Sequence, residues 1–288
     1  MDLSSKIILI SGPTASGKSE FAIKLAKKIN GEIVNADSMQ VYKELQILSA
    51  RPKIKDYQNI KHHLYGFQSV KKNFSVGDWL KLAIKKINEI QKRKKVPILV
   101  GGTGLYFSSL TNGLINIPDI PAQIRLEAKN RIRSDGFESL IEEIDAKTLK
   151  KIDKNNPMRI QRAWEVMKAT GRGLVSWHSE TPKPLLELKN CETILVDCDA
   201  SFINNRINSR FNQMLDNGLL DEASKNFSTW DDKNPSSKAI GAKELMAFLN
   251  GDISMEKLKE EVLIATRQYA KRQRTWFRSK MKSWKKLN

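Results

Sequence analysis

With 288 residues, 40% of them apolar, the chain is long enough for one large α/β domain or for one domain carrying an insertion. Fifty Lys and Arg against 32 Asp and Glu give a net charge of +18, which points to a polyanionic partner; a merely basic proteome with solvated lysines is the bland alternative. Cys191 and Cys198 are too few for a disulfide framework and His62, His63 and His178 make no zinc cluster, no apolar run approaches membrane-spanning length, and a first strand beginning within six residues argues against a signal peptide, so a cytoplasmic protein is expected.

Lys6 to Ser11 reads as a short buried strand, and GPTASGKS follows it, Gly12, Pro13, Thr14, Ala15, Ser16, Gly17, Lys18 and Ser19. This is the phosphate-cradling spacing Gly, four residues, Gly-Lys-Ser. Its glycines let backbone N–H groups turn inward around a polyphosphate, Lys18 can reach the outer phosphates, and the Ser19 hydroxyl can ligate Mg²⁺. A helix over Ser19 to Ile29 would aim its positive end at the same anion. The motif specifies a polyphosphate, not ATP.

EIVNA reads as a second strand, ending at Asp37; HHLYGF is a possible short strand. Val76 to Lys95 has helical apolar spacing, and VPILVGGTG is a buried strand with a glycine turn. Strands alternating with helices imply a mostly parallel sheet covered on both faces. After Ile117 the pattern changes. PDIP breaks the chain, and RLEAKNRIRSDGFESLIEEI and PMRIQRAWEVMKATG are amphipathic helical stretches, the second stopped by Gly171. Strand character returns at CETILVDCD. The expected fold is α/β, a P-loop NTPase-like parallel sheet flanked by helices, built from 1–118 and 185–288, with an all-helical insertion domain at 119–184.

Asp37 stands at the carboxyl end of the second strand, the edge where open α/β sheets bind ligands. Its carboxylate can ligate Mg²⁺ or act as a general base, or it can simply cap a turn. The strand VPILV ends in Gly101 and Gly102 and not in the Asp a P-loop ATPase commonly carries there; Asp197 and Asp199, ending Ile194 to Val196, stay open as substitutes. Arg206 and Arg210, four apart on the helix expected after Asp199, can clamp a diphosphate or be a plain surface pair; Arg159 and Arg162 have similar spacing. From Arg267 to Lys286 there are nine basic residues and no acidic one. Arg267, Lys271, Arg274, Arg278, Lys282 and Lys285 recur at steps of three and four. They read as one continuous helical stripe for a phosphodiester backbone, with Tyr269, Trp276, Phe277 and Trp284 packing on the core or stacking on bases.

Taken together, GPTASGKS at 12–19, DSMQVY at 37–42, ARPK at 50–53, HHL at 62–64, FSVGDW at 74–79, VGGTGLYF at 100–107, RFNQML at 210–215 and ATRQYAKRQRTWFR at 265–278 resemble the motifs of the tRNA dimethylallyltransferase family, in family order and over nearly the whole chain. The chain ends soon after the last block and so resembles the bacterial form, without the zinc-finger extension of eukaryotic members. The resemblance implies transfer of a dimethylallyl group from its diphosphate to N6 of the adenosine 3′-adjacent to the anticodon, in tRNAs reading codons that begin with U. It implies that the loop Thr14 to Ser19 holds diphosphate with Mg²⁺, that Asp37 accepts the amine proton, that Arg210 stabilises the departing diphosphate, and that Thr103 lines the channel beside the adenine. tRNA contacts are implied for Asp37, Ser38, Met39, Gln40, Thr103, Arg125, Met158, Arg159, Ile160, Gln161, Arg162, Lys238, Lys243, Arg267, Lys271 and Arg272. The expected partners are the tRNA anticodon stem-loop and dimethylallyl diphosphate, the expected cofactor is Mg²⁺, and the working unit is expected to be a monomer. The chain departs from the family in having Ala242 for an aromatic, Asn156 for Asp, and no proline after the glycine of GRGLVSWH.

Two other readings share some of these features. A P-loop kinase for a small metabolite or nucleoside has the loop and an acid near the second strand, but leaves the basic C-terminus unexplained. A non-catalytic RNA-binding protein with a regulatory nucleotide site has no need of Asp37.

Overall fold

The structure, a computed structural model, describes residues 6–228, 230–231 and 234–287. By internal contacts the chain divides into Met1–Thr111 with Leu185–Asn288, and Asn112–Pro184.

The larger unit is built on one sheet whose strands, among the described residues, are β1 (Ile7–Ser11), β2 (Gly31–Asn35), β3 (His62–His63), β4 (Val96–Gly101), β5 (Cys191–Val196) and β6 (Lys285–Leu287). Their order is β3-β2-β4-β1-β5-β6, and every pairing is parallel. β1 and β4 are buried along their whole length, as strands covered on both faces must be, and read as unbroken apolar runs. β1 lies at the switch point. The chain leaves it towards β2 on one side and later returns through β5 on the other, which opens a crevice at the carboxyl edge.

Eleven α-helices follow in chain order among the described residues. α1 (Lys18–Lys28) and α2 (Val76–Lys92) cover the sheet, and α3 (Gly104–Asn112) follows β4. The smaller unit holds α4 (Ala122–Asp135), α5 (Ala146–Leu149), α6 (Pro157–Thr170) and α7 (Leu174–His178). The larger unit resumes with α8 (Ala200–Asp216), α9 (Leu219–Phe227), α10 (Ala242–Leu249) and α11 (Met255–Lys280). α2 opens on a capping box, in which the Ser75 hydroxyl accepts the Asp78 N–H and Asp78 accepts the Ser75 N–H. Its Trp79 is fully buried, donates from Nε1 to Asn35 O at 2.8 Å, and stacks on Tyr106 at 4.2 Å. That contact fixes the end of β2 just before the functional loop.

Asn112–Pro184 has its own core, in which Ala128, Leu140, Ile160, Ala163 and Trp164 are each 0% exposed. Asn156 caps α6, its side chain accepting the Arg159 N–H at 3.2 Å, so the amide does the capping an Asp would do there. Gly171 closes the helix in the left-handed conformation.

The C-terminal basic stripe needs correction. α11 ends at Lys280; Lys282 lies in a turn and Lys285 in β6, so the six cations do not share one helix. Arg274 is an inward residue, its Nε donating to Asp197 Oδ1 at 3.2 Å, with both side chains under one-fifth exposed. Of the aromatics, Tyr269 lines a cavity and the other three serve packing. Phe277 and Trp284 are buried, Trp284 meets Phe107 edge to face at 5.4 Å, and a Cβ on Gly104 would come within 2.3 Å of the Trp276 ring.

At the amino end of the sheet, far along β2 from the crevice, Glu32 has a fully buried side chain. It accepts from His63 Nε2 at 2.7 Å and Arg93 at 2.6 Å, with Lys95 Nζ at 3.6 Å, tying β2 to β3 and to the α2–β4 turn. Burial alone would push its carboxyl up; the Arg93 and His63 hydrogen bonds outweigh burial and hold it down, from 4.5 to about 2. A carboxylate depressed on folding contributes stability that is complete above the unfolded value and lost as pH falls through the folded one. The contribution of Glu32 is therefore expected to be intact above pH 4.5 and to fade towards pH 2. Glu32→Gln is expected to cost about 1.5–3 kcal/mol at neutral pH and to flatten the acid limb, read by urea unfolding as a function of pH. An unchanged acid limb would dismiss this account.

Candidate active site

Three loops leave the carboxyl ends of β1, β2 and β4 and meet in the crevice. The loop after β1 turns on Ala15 (φ 64°) and Gly17 (φ 87°), both in the left-handed region, and hands over to α1 at Lys18. Gly12 must be glycine because a Cβ there would lie 2.5 Å from Val196 O. Thr14, Ala15, Gly17, Lys18 and Ser19 line a cavity of about 690 Å³. Ser16 is buried, its carbonyl accepting from Cys198 Sγ at 3.7 Å, and Pro13 O accepts from Lys18 Nζ at 3.1 Å.

Lys18 is a strongly perturbed cation in this cavity. Burial pulls its ammonium down to about 8, with Asp37 working against the shift and Arg210 adding to it. Arg210 comes in from α8, and its NH2 donates to Thr14 Oγ1 at 2.9 Å. Burial lowers its pKa as well, opposed by Asp37 and assisted by Arg206. Arg206 lines the same cavity. Of this pair, four apart on α8, Arg210 faces the phosphate loop and Arg206 stays exposed at the cavity.

Asp37 follows β2. Its N–H donates to Asn35 Oδ1 at 2.9 Å, and its Oδ1 accepts the N–H of Met39 at 2.9 Å and, more weakly, that of Gln40 at 3.4 Å. Among the described residues Oδ2 has no hydrogen-bond partner, and it lies 3.6 Å from where a Cβ on Gly102 would be. Thr103, after β4, accepts the Ser38 N–H at 2.9 Å and donates to Ser38 Oγ at 3.3 Å. Asp37, Ser38, Met39 and Gln40 all line the cavity. Gln40 Nε2 donates to Ser49 O and Ala50 O, both at 3.1 Å, and so fixes the opposite wall. An apolar part of the lining comes from Ile207, Phe211, Met214 and Val262.

Besides Asp37, Ser38, Met39, Gln40 and Thr103, the residues proposed from the sequence for RNA contact fall into three groups. Lys238 is exposed and lines the cavity; Lys243 is exposed on α10. Arg267, Lys271 and Arg272 are exposed on α11, with Arg267 donating to Asn208 Oδ1 at 2.8 Å and Arg272 lying 5.9 Å above the Tyr269 ring. Arg125, Met158, Arg159, Ile160, Gln161 and Arg162 belong to the unit Asn112–Pro184. There Met158 and Arg159 are exposed, and Gln161 donates to Glu165 Oε1 at 2.7 Å. Burial lowers the pKa of Arg162, and nearby Arg125 adds to the shift. Ile160 is corrected: its side chain is 0% exposed in that unit's core and is closed to a partner.

Two residues were missed by sequence reasoning. Gln273 accepts the Thr14 N–H on Oε1 and donates from Nε2 to Gly102 O, each at 2.8 Å. The signal for it was register, since an uncharged polar residue stands between Ala270 and Phe277 on the apolar face of α11. Glu222 accepts the N–H groups of Ile47 at 2.7 Å and Leu48 at 2.9 Å, and so holds the segment before Ser49 and Ala50. No local pattern marks it.

Ser19 offers one exposed hydroxyl at the cavity, and among the described residues there is no cluster of three or more His, Cys, Asp or Glu fit to cage a metal. That donor set suits Mg²⁺ arriving with phosphates, which keeps most of its waters and takes one or two protein oxygens. Asp197 is engaged by Arg274, Asp199 stands at the N-cap position of α8 without a side-chain cap hydrogen bond, and neither lines the cavity.

The family pattern described as IPP transferase matches residues 40–280. A tRNA dimethylallyltransferase of Pelagibacter ubique is 47% identical over 292 residues, spanning all of this chain and 93% of the relative. One from Cereibacter sphaeroides is 45% identical, spanning 99% of this chain and 89% of its own. The full-length tRNA isopentenylpyrophosphate transferase of Bacillus halodurans superposes with a TM-score of 0.70 at 35% identity, over 98% of this chain and 90% of that one. A eukaryotic dimethylallyltransferase acting on tRNA superposes with a TM-score of 0.80 at 27% identity, over 95% and 70% respectively. A phosphate loop facing a carboxylate, inside a sheet of this order and a sequence this similar from end to end, places the chain in the tRNA dimethylallyltransferase family of tRNA-modifying prenyltransferases.

Proposed function

We propose that the chain transfers the dimethylallyl group of dimethylallyl diphosphate to N6 of the adenosine 3′-adjacent to the anticodon, in tRNAs reading codons that begin with U. The observation that carries this reading is the composition of the cavity at the phosphate loop. Lys18, Arg206 and Arg210 supply cations, Asp37 a carboxylate, and Ile207, Phe211, Met214 and Val262 an apolar wall. An allylic diphosphate has the matching halves, a charged head and an apolar tail. A kinase shares the loop and the acid at Asp37 but leaves the exposed Arg267, Lys271 and Arg272 of α11 unexplained, and the acid that a P-loop ATPase commonly carries is missing from β4, which ends in Gly101. A tRNA substrate supports action in the cytoplasm.

In the proposed reaction the exocyclic amine attacks C1 of the allyl group. The N–C bond forms, the C–O bond breaks, and diphosphate leaves with the bonding pair. The amine is a poor nucleophile, and Asp37 Oδ2 takes its proton as the bond forms. Negative charge grows on diphosphate, where Lys18, Arg210 and the loop amides stabilise it without having to reorganise. Mg²⁺, held by Ser19 Oγ and phosphate oxygens, would supply further charge neutralisation. The target base must leave its stack, at a cost of about a few kcal/mol that cationic contacts on the anticodon stem-loop offset.

The test is a product assay with Mg²⁺, dimethylallyl diphosphate and unmodified tRNA, without ATP, in which digested nucleosides are weighed. An adenosine heavier by one dimethylallyl group is expected. Asp37→Asn keeps the Oδ1 cap on Met39 and removes the base, and a rate loss of about 10²–10⁴-fold is expected. Lys18→Ala and Arg210→Ala are expected to lose about 10²–10³-fold with tRNA affinity little changed. Wild-type rates in Asp37→Asn would sink the base assignment, and consumption of ATP on a small-molecule acceptor, with no prenylated product, would favour a kinase.

A second prediction concerns tRNA. Replacing Arg267, Lys271 and Arg272 together by Gln, with Arg274 left in its ion pair, is expected to weaken tRNA binding. The log–log salt slope should become shallower by about 2–3. A slope equal to that of the wild type would remove α11 from the RNA interface.

A further inference from the structure

We infer that Gln273 is a positioning residue, one side chain that sets the spacing between the loop holding diphosphate and the loop holding the adenine. The inference rests on the assignment of those two loops proposed above. Gln273 is 7% exposed on α11 and spends its whole amide on two backbones. Oε1 accepts the Thr14 N–H of the loop after β1, and Nε2 donates to Gly102 O of the loop after β4, both at 2.8 Å. Each end continues into the chemistry. Thr14 Oγ1 accepts from Arg210, on the leaving-group side. Thr103, next to Gly102, accepts from Ser38, next to Asp37 on the proton-accepting side. One hydrogen-bonded line therefore runs from Arg210 through Thr14, Gln273, Gly102 and Thr103 to the segment carrying Asp37.

The bridge has little slack. A Cβ on Gly102 would stand 2.4 Å from Gln273 Nε2, so the amide packs against bare backbone. Only a side chain with an acceptor and a donor at this reach satisfies both ends. Leu satisfies neither. An ionised Glu would still accept from Thr14 but would set an oxygen against the Gly102 carbonyl, whereas a protonated Glu presents the amide's own pattern of one acceptor and one donor. A transfer in which nucleophile, carbon and leaving oxygen must align is sensitive to such spacing, since a misplacement of about 1 Å can cost on the order of 10²-fold in rate.

The experiment uses the full chain with saturating dimethylallyl diphosphate and tRNA, in single turnover. Gln273→Leu is expected to lower the rate about 10²-fold. Its dissociation constants for tRNA and for inorganic diphosphate should stay within about threefold of the wild type, because the loss lies in alignment and not in binding. Gln273→Glu, isosteric and so the safeguard should the Leu variant fail to fold, is expected to recover as the pH falls from about 8 to about 5.5. Its rate relative to the wild type at each pH rises as the carboxyl takes up its proton. A Leu variant with an unchanged saturating rate, a loss confined to KM, or a loss that tracks the unfolded fraction would overturn the inference. So would a Glu-to-wild-type ratio flat in pH. Asp37→Asn and Lys18→Ala, run alongside, separate the two failures: full activity in either would break the loop assignment, while their inactivity beside an unimpaired Gln273→Leu would break the bridge alone.

Discussion

Backbones can approach one another only as closely as their Cβ atoms allow, and the carboxyl edge of this sheet removes that limit where the loops meet. A Cβ on Gly101 would lie 2.0 Å from Ala36 O, and one on Gly12 2.5 Å from Val196 O. Contacts that short are forbidden, so these positions must be bare. Because they are, the loop after β4 nests against the loop after β2, and Thr103 N reaches Ala36 O at 3.3 Å. The Thr103 hydroxyl then meets Ser38, and Gly102 O comes within reach of Gln273. A doubly wound sheet brings strand ends together in any case. The glycines turn that proximity into hydrogen-bond contact, and the catalytic arrangement depends on the difference.

The same crowding sets the electrostatics. Lys18, Arg206, Arg210 and Lys238 share one partly enclosed cavity with two carboxylates, Asp37 and the exposed Glu20. Burial strains the Lys18 ammonium and pulls it down to about 8, with Asp37 holding against the fall and the repulsion of Arg210 adding to it. An anion of two or more charges relieves the strain on arrival. It also returns the ammonium to full charge when diphosphate begins to depart. The cavity is thus organised for an anionic product more than for an empty resting state, as electrostatic stabilisation of a transition state requires.

The fold and one half of the site were legible in the sequence because their signals are local. GPTASGKS after an apolar run, Asp37 at a strand end, and Arg206 with Arg210 at helical spacing each depend on neighbours a few residues away, and each contributes residues to the cavity lining. The other half depends on tertiary register. Gln273 lies 259 positions from Thr14, with which it bonds, and Glu222 lies 175 from Ile47. A one-dimensional pattern carries no trace of such pairs. The same limit explains the misread stripe. Steps of three and four place Arg274 beside Arg267 on paper, but an acid at the end of β5 draws it inward. Ile160 shows the converse. A contiguous run from Met158 to Arg162 looks uniform as a motif, yet on a helix it rotates through the core.

Asp37 shows why some alternatives posed by a sequence are not exclusive. An acid just past a strand can cap the following turn or do chemistry, and the two roles look like competitors for one side chain. A carboxylate has two oxygens. Here Oδ1 takes the N–H groups of Met39 and Gln40, which locks the side chain's direction, while Oδ2 stands on the Gly102 side. The cap therefore serves the proposed base. A freely rotating carboxylate would have to be ordered during each turnover, whereas this one is ordered by the turn it closes. The Asn35 side chain reinforces the arrangement from behind, with Oδ1 accepting the Asp37 N–H and Nδ2 donating to Asp37 O. The turn chemistry that makes Asp37 look ordinary is the chemistry that aims it.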